Sequence, residues 1–450
     1  MDRHLLLDAR IIENVQNAEL TLGTVTKHDA NPQFGEDKPW ERRFDNLYAN
    51  IIYDEEEKLY KCWYSPFIVS NTTVGMTMQQ RKDEPYGKHP QEMGICYATS
   101  KDGIHWDKPE LGLVDYDGSK ANNIVWRGGG VHKDWGGPHG AGIFKDLRDP
   151  DPARLYKAIL KDIILSVAFS ADGLHWGPPI ACPDANSAGD THNNAFWSPT
   201  QGKYVGITRQ WRHDGDTQLR LVARTESDDF ITWKKTEHLL EGDDENHQLY
   251  AMPVFYRGGI YLGLVAVHDQ AQDRVWTELT WSPDTKTWHR VSPGTPLIGN
   301  DGDYGHYDWG CVYAAANPIF LDDEIRLYYG ASDGLHTSWR LGFLAMATLR
   351  PDGFAGYKAS SEGKPASLTT SPLLNGSSSL KVSADIEAGG RLTVQALDAS
   401  GQVIAESEAL TESVTDAGVK WQDDSVLEGI ETARLQFVFH GATVYSLALT

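Results

Sequence analysis

A seven-residue segment recurs through the first 350 residues, and repetition at a regular interval constrains a fold more than any local propensity. Ser100-Lys101-Asp102-Gly103-Ile104-His105-Trp106 returns as Ser170-Ala171-Asp172-Gly173-Leu174-His175-Trp176. Looser copies are Ser227-Asp228-Asp229-Phe230-Ile231-Thr232-Trp233 and Ser282-Pro283-Asp284-Thr285-Lys286-Thr287-Trp288, and Pro351-Asp352-Gly353-Phe354 is a degenerate fifth. Ser and Asp hydrogen-bond their own backbone and Gly supplies positive φ, so each copy predicts a tight turn, with the Trp opening the next strand. Small apolar strands precede the turns, among them Gly94-Ile95-Cys96-Tyr97-Ala98 and Leu219-Arg220-Leu221-Val222-Ala223.

A second repeat interleaves with the first. Strands such as Lys58-Leu59-Tyr60-Lys61-Cys62-Trp63-Tyr64 and Gly259-Ile260-Tyr261-Leu262-Gly263 each follow another strand, here Ala49-Asn50-Ile51-Ile52-Tyr53 and Met252-Pro253-Val254-Phe255. The module is strand, turn, strand, loop, strand, SxDGxxW turn, strand. Five modules fit before residue 355, and four-stranded units repeated about a centre make a propeller. No segment has the 3.6-residue apolar period of an amphipathic helix. Of the 15 tryptophans only Trp421 lies beyond residue 365, where period-2 strands such as Gly390-Arg391-Leu392-Thr393-Val394-Gln395-Ala396-Leu397 predict a small sandwich. The expectation is an all-β chain: a five-bladed β-propeller catalytic domain with an N-terminal arm over residues 1–358, then a C-terminal β-sandwich over 359–450.

The chain carries 41 Lys and Arg against 63 Asp and Glu, a formal charge of −22. That field repels phosphate backbones and anionic lipid, which argues against nucleic acid and membrane surfaces as partners and leaves a carbohydrate as the easier one. No apolar run approaches a membrane span, and Leu5-Leu6-Leu7 is too short for a secretory core. A cytoplasmic location is expected if the chain is complete, a secreted or periplasmic one if a leader was removed. The four cysteines form no CxxC pair and read as buried thiols.

In a propeller the loop before each innermost strand opens onto the axis, the natural ligand site. Those loops here are Trp40 to Asn46, His132 to Gly140, Gly189 to Asn194, Asp243 to Tyr250 and Asp303 to Gly310. Acids, histidines, amides and aromatics recur in them. Trp40, Tyr250 and Trp309 offer faces for a sugar's C–H groups, while Arg43, His139, His192, Asn193 and His247 offer hydrogen bonds to hydroxyls. Paired carboxylates, one kept protonated, would cleave the glycosidic bond. Such hydrolysis requires no cofactor. Three imidazoles from His132, His139, His192, His247 and His306 could nevertheless hold a divalent metal in the funnel.

The segments from Tyr97 to Gly112, Asp117 to Asn123 and Tyr250 to Phe255, with Asp323 to Gly330 and the sandwich, resemble the five-bladed glycoside hydrolase superfamily of invertases, levansucrases and arabinanases (families 32, 68 and 43). They are most similar to the bacterial proteins labelled family 32-like. The resemblance spans nearly the whole chain. It implies a base or nucleophile at Asp45, a supporting acid at Asp190 and a general acid at Glu245, with Asp308 as an extra candidate. The WMNDPNG and EC segments of true invertases are absent, and Arg148-Asp149-Pro150 sits in what reads as a polar surface turn. A glycosidase acting on a terminal sugar leads, with a furanoside among the candidate substrates. The alternatives are a phosphorylase or transglycosidase using Arg42, Arg43, Lys133 and Arg209 as a phosphate pocket, or a non-catalytic carbohydrate-binding propeller. A sialidase would need an arginine triad that the sequence does not locate.

Overall fold

The computed structural model describes residues 2–86, 90–128, 137–215, 217–361, 363–373, 379–423 and 432–449. The chain is all-β as expected, with strands over half of it and helix over 4%. Among the described residues the one α-helix is Met78–Asp83, closed by a capping box between Thr77 and Gln80.

Four-stranded antiparallel units follow one another along the chain. The first is Asn50–Asp54, Leu59–Tyr64, Glu92–Ser100 and Ile124–Arg127; the second His139–Lys145, Tyr156–Lys161, Leu165–Ser170 and Ile180–Ala181; the third Asn194–Ser198, Lys203–Asp214, Thr217–Ser227 and Glu237–Leu240. Next come Val254–Arg257, Ile260–Asp269, Arg274–Ser282 and His289–Arg290, tied by one parallel bridge from Val275 to Cys311 into a group that holds Cys311–Ala314, Ile325–Ser332 and Gly342–Leu349. The outermost strands of that last group come from the N-terminal segment: Thr26–Lys27 and Phe34–Gly35 pair on Gly342–Leu349. The two ends of the propeller are thereby stitched together.

The innermost strands pack side by side: 50–54 on 139–145, 139–145 on 194–198, 194–198 on 254–257, and 319–320 back on 50–54. Asparagines bridge these neighbours. Asn50 donates to the Ala141 carbonyl at 2.7 Å and accepts from the Ile143 amide at 2.9 Å, and Asn194 accepts from the Val254 amide at 3.0 Å. A side-chain amide offers both a donor and an acceptor, so it satisfies backbone groups that neighbouring sheets leave unpaired.

The repeated turns form as predicted. In each, the Ser hydroxyl and an Asp oxygen accept from amides of the same loop: Gly103 to Ser100 at 2.8 Å, Ile104 and His105 to Asp102 at 2.8 and 2.9 Å. The residue after the Asp has positive φ, at Gly103 and Gly173 but also at Phe230 and Thr285. The turn therefore tolerates a side chain there, which explains the looser third and fourth copies. Gly173 is less replaceable, because a Cβ would lie 2.6 Å from the Trp63 ring. Each turn also grips the preceding unit: Tyr328 donates to the Gly103 carbonyl, Trp63 to that of Gly173, Arg154 to that of Asp229, and Arg224 to the Thr285 hydroxyl. In the degenerate copy Asp352 takes the positive φ itself and is fully buried. It receives Arg257 at 3.0 Å, Ser446 at 3.0 Å and Arg3.

Behind the propeller lies a nine-stranded sheet. Its two longest strands, Leu380–Leu397 and Arg434–Leu449, pair with register shifts at Ser383/Ala384 and Ile386/Arg391. Residues from both halves, among them Val382, Val394, Phe437 and Leu447, share one core, so the sheet bends over itself into the expected sandwich. N-terminal strands Asp2–Leu5, Ile12–Gln16 and Ala18–Leu22 hydrogen-bond into this same sheet. Alternation alone could not assign them, since pairing between chain ends leaves no trace in local pattern.

Candidate active site in the axial funnel

The loop Asp45 to Tyr48 enters the funnel in a strained form. Leu47 and Tyr48 both have left-handed φ, +61° and +47°. Two consecutive side-chain-bearing residues in that region persist only when the surroundings fix them, and such strain concentrates at functional sites. Asn46 donates to the Tyr48 hydroxyl at 2.7 Å. The Tyr48 ring lies 5.2 Å from His192, 5.5 Å from His139 and 6.2 Å from Tyr313. Tyr250 continues the aromatic floor, with Tyr313 at 5.4 Å and His336 at 5.1 Å.

Asp190 is a carboxylate of the funnel with solvent access, its side chain 30% exposed. Arg209 donates to one oxygen, His139 lies 3.2 Å from the other, and Lys161 stands at 3.9 Å. Burial alone would raise its pKa, but the His139 hydrogen bond and the charges of Arg209 and Lys161 outweigh it and hold the carboxyl far below the usual range. Asp190 is therefore ionised at any physiological pH. Asp45 is buried and bound by Arg340 at 3.0 Å, and the same guanidinium also donates to Asn46 and to the Asp45 carbonyl. Burial pushes His192 down to about 3, and His336 falls far below its ordinary value for the same reason, aided by the charges of His268 and Arg340. These imidazoles are neutral and act as hydrogen-bonding groups. His268 is also lowered by burial, against the opposing pull of Asp273 at 3.1 Å.

The structure thus brings together Asp45, Asp190, His139, His192 and Tyr250 from the sequence reading. Asn193 is buried beside them, but its amide is spent on the Gly140, Gly189 and Thr191 carbonyls and fixes the loop. Other residues lie apart. Asp308 is fully buried between Lys27 at 2.5 Å, His306 at 2.8 Å and Tyr329 at 3.1 Å, and shares none of these partners with Asp45 or Asp190. Glu245 is exposed on the loop before His247, whose ring bonds Asp244. Trp40 bonds Asn123 in the first unit. Arg43 fills a cage of Phe67, Tyr86 and Trp339. Trp309 packs on Tyr304 and Arg274. Asp149 pairs with Lys157 and Arg154 in its turn. His132 and Lys133 lie outside the described residues.

Sequence reasoning missed Tyr48, Tyr313, His268, His336, Arg220 and Arg340. Tyr48 follows Asp45 in the same loop and could have been found there. The others sit inside strands or in the connection after Ser332, where no spacing marks them. Among the described residues, no three His, Cys, Asp or Glu gather as metal ligands. At the opposite end of the inner strands a cavity of about 480 Å³ opens between Tyr53, Phe144, Phe196 and Trp197. Of the charged groups beside it, Lys145 and Asp146 are already paired and Arg148 lies over the Trp197 ring.

No protein-family model matches the chain, and no curated protein matches it. Solved structures do. A glycosyl hydrolase from Bacteroides ovatus is 14% identical with a TM-score of 0.50, over 74% of this chain and 95% of that one. An N-acetylgalactosamine deacetylase from F. plautii, in complex with blood group B trisaccharide, is 14% identical with a TM-score of 0.49, over 73% and 96%. A β-1,2-mannobiose phosphorylase from Listeria innocua is 13% identical with a TM-score of 0.48, over 73% and 97%. The likeness is one of fold: the chain shares the propeller-like architecture of the Bacteroides ovatus glycosyl hydrolase.

Proposed function

We propose that the chain is a glycoside hydrolase removing a terminal sugar in the axial funnel of a five-bladed propeller. The observation that carries this reading is Asp190, an ionised and partly exposed carboxylate ringed by His139, Arg209 and Lys161, with the face of Tyr48 beside His139. Such a ring offers hydroxyl partners and apolar faces around one reactive oxygen pair. Asp45, on the strained loop across the funnel, is the second carboxylate. Glu245, on the exposed loop close to Gln248, is the proton donor this reading assigns. Asp308 is left out of the working set, since it is fully buried and shares no partner with Asp45 or Asp190.

The test is sugar release from a panel of oligosaccharides and aryl furanosides and pyranosides, with wild type beside Asp190→Asn. Cleavage lost in the variant supports the reading, and an equally active Asp190→Asn would sink the assignment. A second reading, phosphorolysis, is favoured by the cations Arg209 and Lys161 beside Asp190. In that case phosphate attacks the anomeric carbon as the glycosidic bond breaks. Sugar 1-phosphate would then form only when inorganic phosphate is present.

A further inference from the structure

Among the described residues, the wall of the funnel beside Asp190 carries more positive charge than carboxylates neutralise. On the long hairpin Lys203–Asp214 and Thr217–Ser227, Trp211 stands directly opposite Arg220. Arg209, two residues from Trp211, therefore shares its face of the sheet. The Arg209 guanidinium lies 4.7 Å from the Trp211 ring and 5.1 Å from Tyr250; that of Arg220 lies 4.8 and 5.3 Å from the same two rings. Two guanidinium groups are thus drawn to one pair of aromatic faces.

Their polar partners are few. Arg209 is buried, and its carboxylate, Asp190, is shared with Lys161 and His139. Arg220 is half-buried and bonds only the neutral amide of Gln248, at 3.0 Å. Among the described residues no carboxylate pairs with it. The Nε–H groups of both arginines are buried and without a partner. Arg340 adds no further unmatched charge, being paired with Asp45. All this occurs in a chain of net charge −22, where carboxylates are plentiful elsewhere. Buried or half-buried cations without a matching anion are costly, so the arrangement is that of a site whose anion comes from outside. A guanidinium fork selects oxyanions, which it can grip through two parallel hydrogen bonds.

We infer that Arg220, backed by Arg209, receives an oxyanion borne by the carbohydrate, so that the funnel takes an acidic sugar such as a hexuronic acid. The inference rests on the carbohydrate-cleaving reading and narrows its substrate class. Arg220 does not bond Asp190 and meets Asp190's partner Arg209 only across the rings of Trp211 and Tyr250, so its anion sits on a part of the sugar set off from the cleaved bond. An attacking phosphate would need to share the carbon that Asp190 addresses. This separation favours a carboxylate on the ring over free phosphate.

The experiment is calorimetric titration of the full chain with glucuronate, galacturonate, glucose, galactose and inorganic phosphate, repeated on Arg220→Gln and Arg220→Lys. The expected result is binding of a uronate at least about tenfold tighter than of its neutral parent. Arg220→Gln should lose about tenfold, Arg220→Lys should lose less, and added salt should weaken the wild type. Uronate binding unchanged in Arg220→Gln, or equal affinity for acidic and neutral sugars, overturns the inference. So does phosphate binding that depends on Arg220 while no uronate binds. If neutral glycosides are cleaved and no uronate binds, the subsite fails and the glycosidase reading stands. If a uronate binds through Arg220 while no glycoside is cleaved, the subsite stands and the glycosidase reading fails.

Discussion

Asp172 and Asp190 lie 18 residues apart, and both are held below the usual carboxylate range, but by opposite means. Asp172 sits in a repeated turn. Burial works against its charge, yet the His175 amide and ring, the Leu174 amide and the Ser170 hydroxyl bring it down to about 2. Every one of those donors lies within three residues. Asp190 draws on His139, Lys161 and Arg209, from three different strands of two units. The first is a local device that makes a turn and asks nothing of the rest of the fold. The second exists only once two units have packed, and it leaves an oxygen pair facing the funnel. A depressed carboxylate alone therefore does not mark a site; Asp190 is the candidate because its partners come from two units and its side chain also keeps solvent access.

The sharpest way to break this contrast is to remove each charge in turn. Asp190→Asn should cut glycoside cleavage by about 10²- to 10⁴-fold, the range of a lost catalytic carboxylate. Asp172→Asn should leave the rate unchanged and lower only the melting temperature. Equal losses of rate in the two variants would dissolve the distinction. The largest stability effect is expected at Arg340, 1% exposed and the partner of buried Asp45. Arg340→Met strands that carboxylate, and denaturant unfolding should report a loss of about 3–5 kcal/mol. A loss under 1 kcal/mol would mean that Asp45 finds water or another partner, and that its loop is less fixed than the left-handed Leu47 and Tyr48 suggest.

Acid separates the two regions again. His192 is held at about 3 in the folded chain, whereas an unfolded histidine titrates near 6.5. As pH falls from 6.5 toward 3 the unfolded chain takes up a proton that the folded chain refuses, so stability falls, by up to about 1.4 kcal/mol per pH unit for one such group. His336 and His268 are lowered too and act in the same direction. Asp172 behaves otherwise. Its contribution is complete above the unfolded value near 4 and is lost only as pH falls through about 2. Denaturation midpoints between pH 7 and 4 should therefore decline in wild type and in Asp172→Asn alike, and decline less in His192→Gln. An unchanged slope in His192→Gln would mean that the funnel histidine is protonated in the folded protein.

The same difference explains what could be read from the sequence. Ser100 to Trp106 and its copies were legible because a turn held by its own residues must carry them at fixed spacing. The strand modules were legible through alternation, and the loops before the inner strands located Asp45, Asp190, His139 and Tyr250. Arg220 and Tyr313 were not, since each lies inside a strand, where a funnel-facing side chain and a core-facing one obey the same period. Arg340 and His336 come from the connection after Ser332, which no repeat covers. The pairing of Asp2–Leu5 with Arg434–Leu449 joins the two chain ends, and no local pattern announces a contact of that range. Asp308 shows the converse: flanked by aromatics it reads as a sugar site, yet Lys27, far back in the sequence, occupies it.

The finest test lies within the turns. In all four full copies an Asp oxygen accepts two loop amides, while its other oxygen meets a side chain that varies: His105, His175, Thr232 or Thr287. The amide bonds are short, 2.7–2.8 Å at Asp284, whereas Thr287 reaches it at 3.3 Å and from an exposed position. Asp284→Ala should therefore cost about 1 kcal/mol, as for a lost capping residue. Thr287→Ala should cost no more than about 0.5 kcal/mol, as for other exposed side-chain substitutions. Thermal or denaturant unfolding resolves that difference. A cost at Thr287 equal to that at Asp284 would mean that paired side chains hold the turn. The presence of Asp in every copy beside a changing partner would then need another cause than the two backbone donors it satisfies.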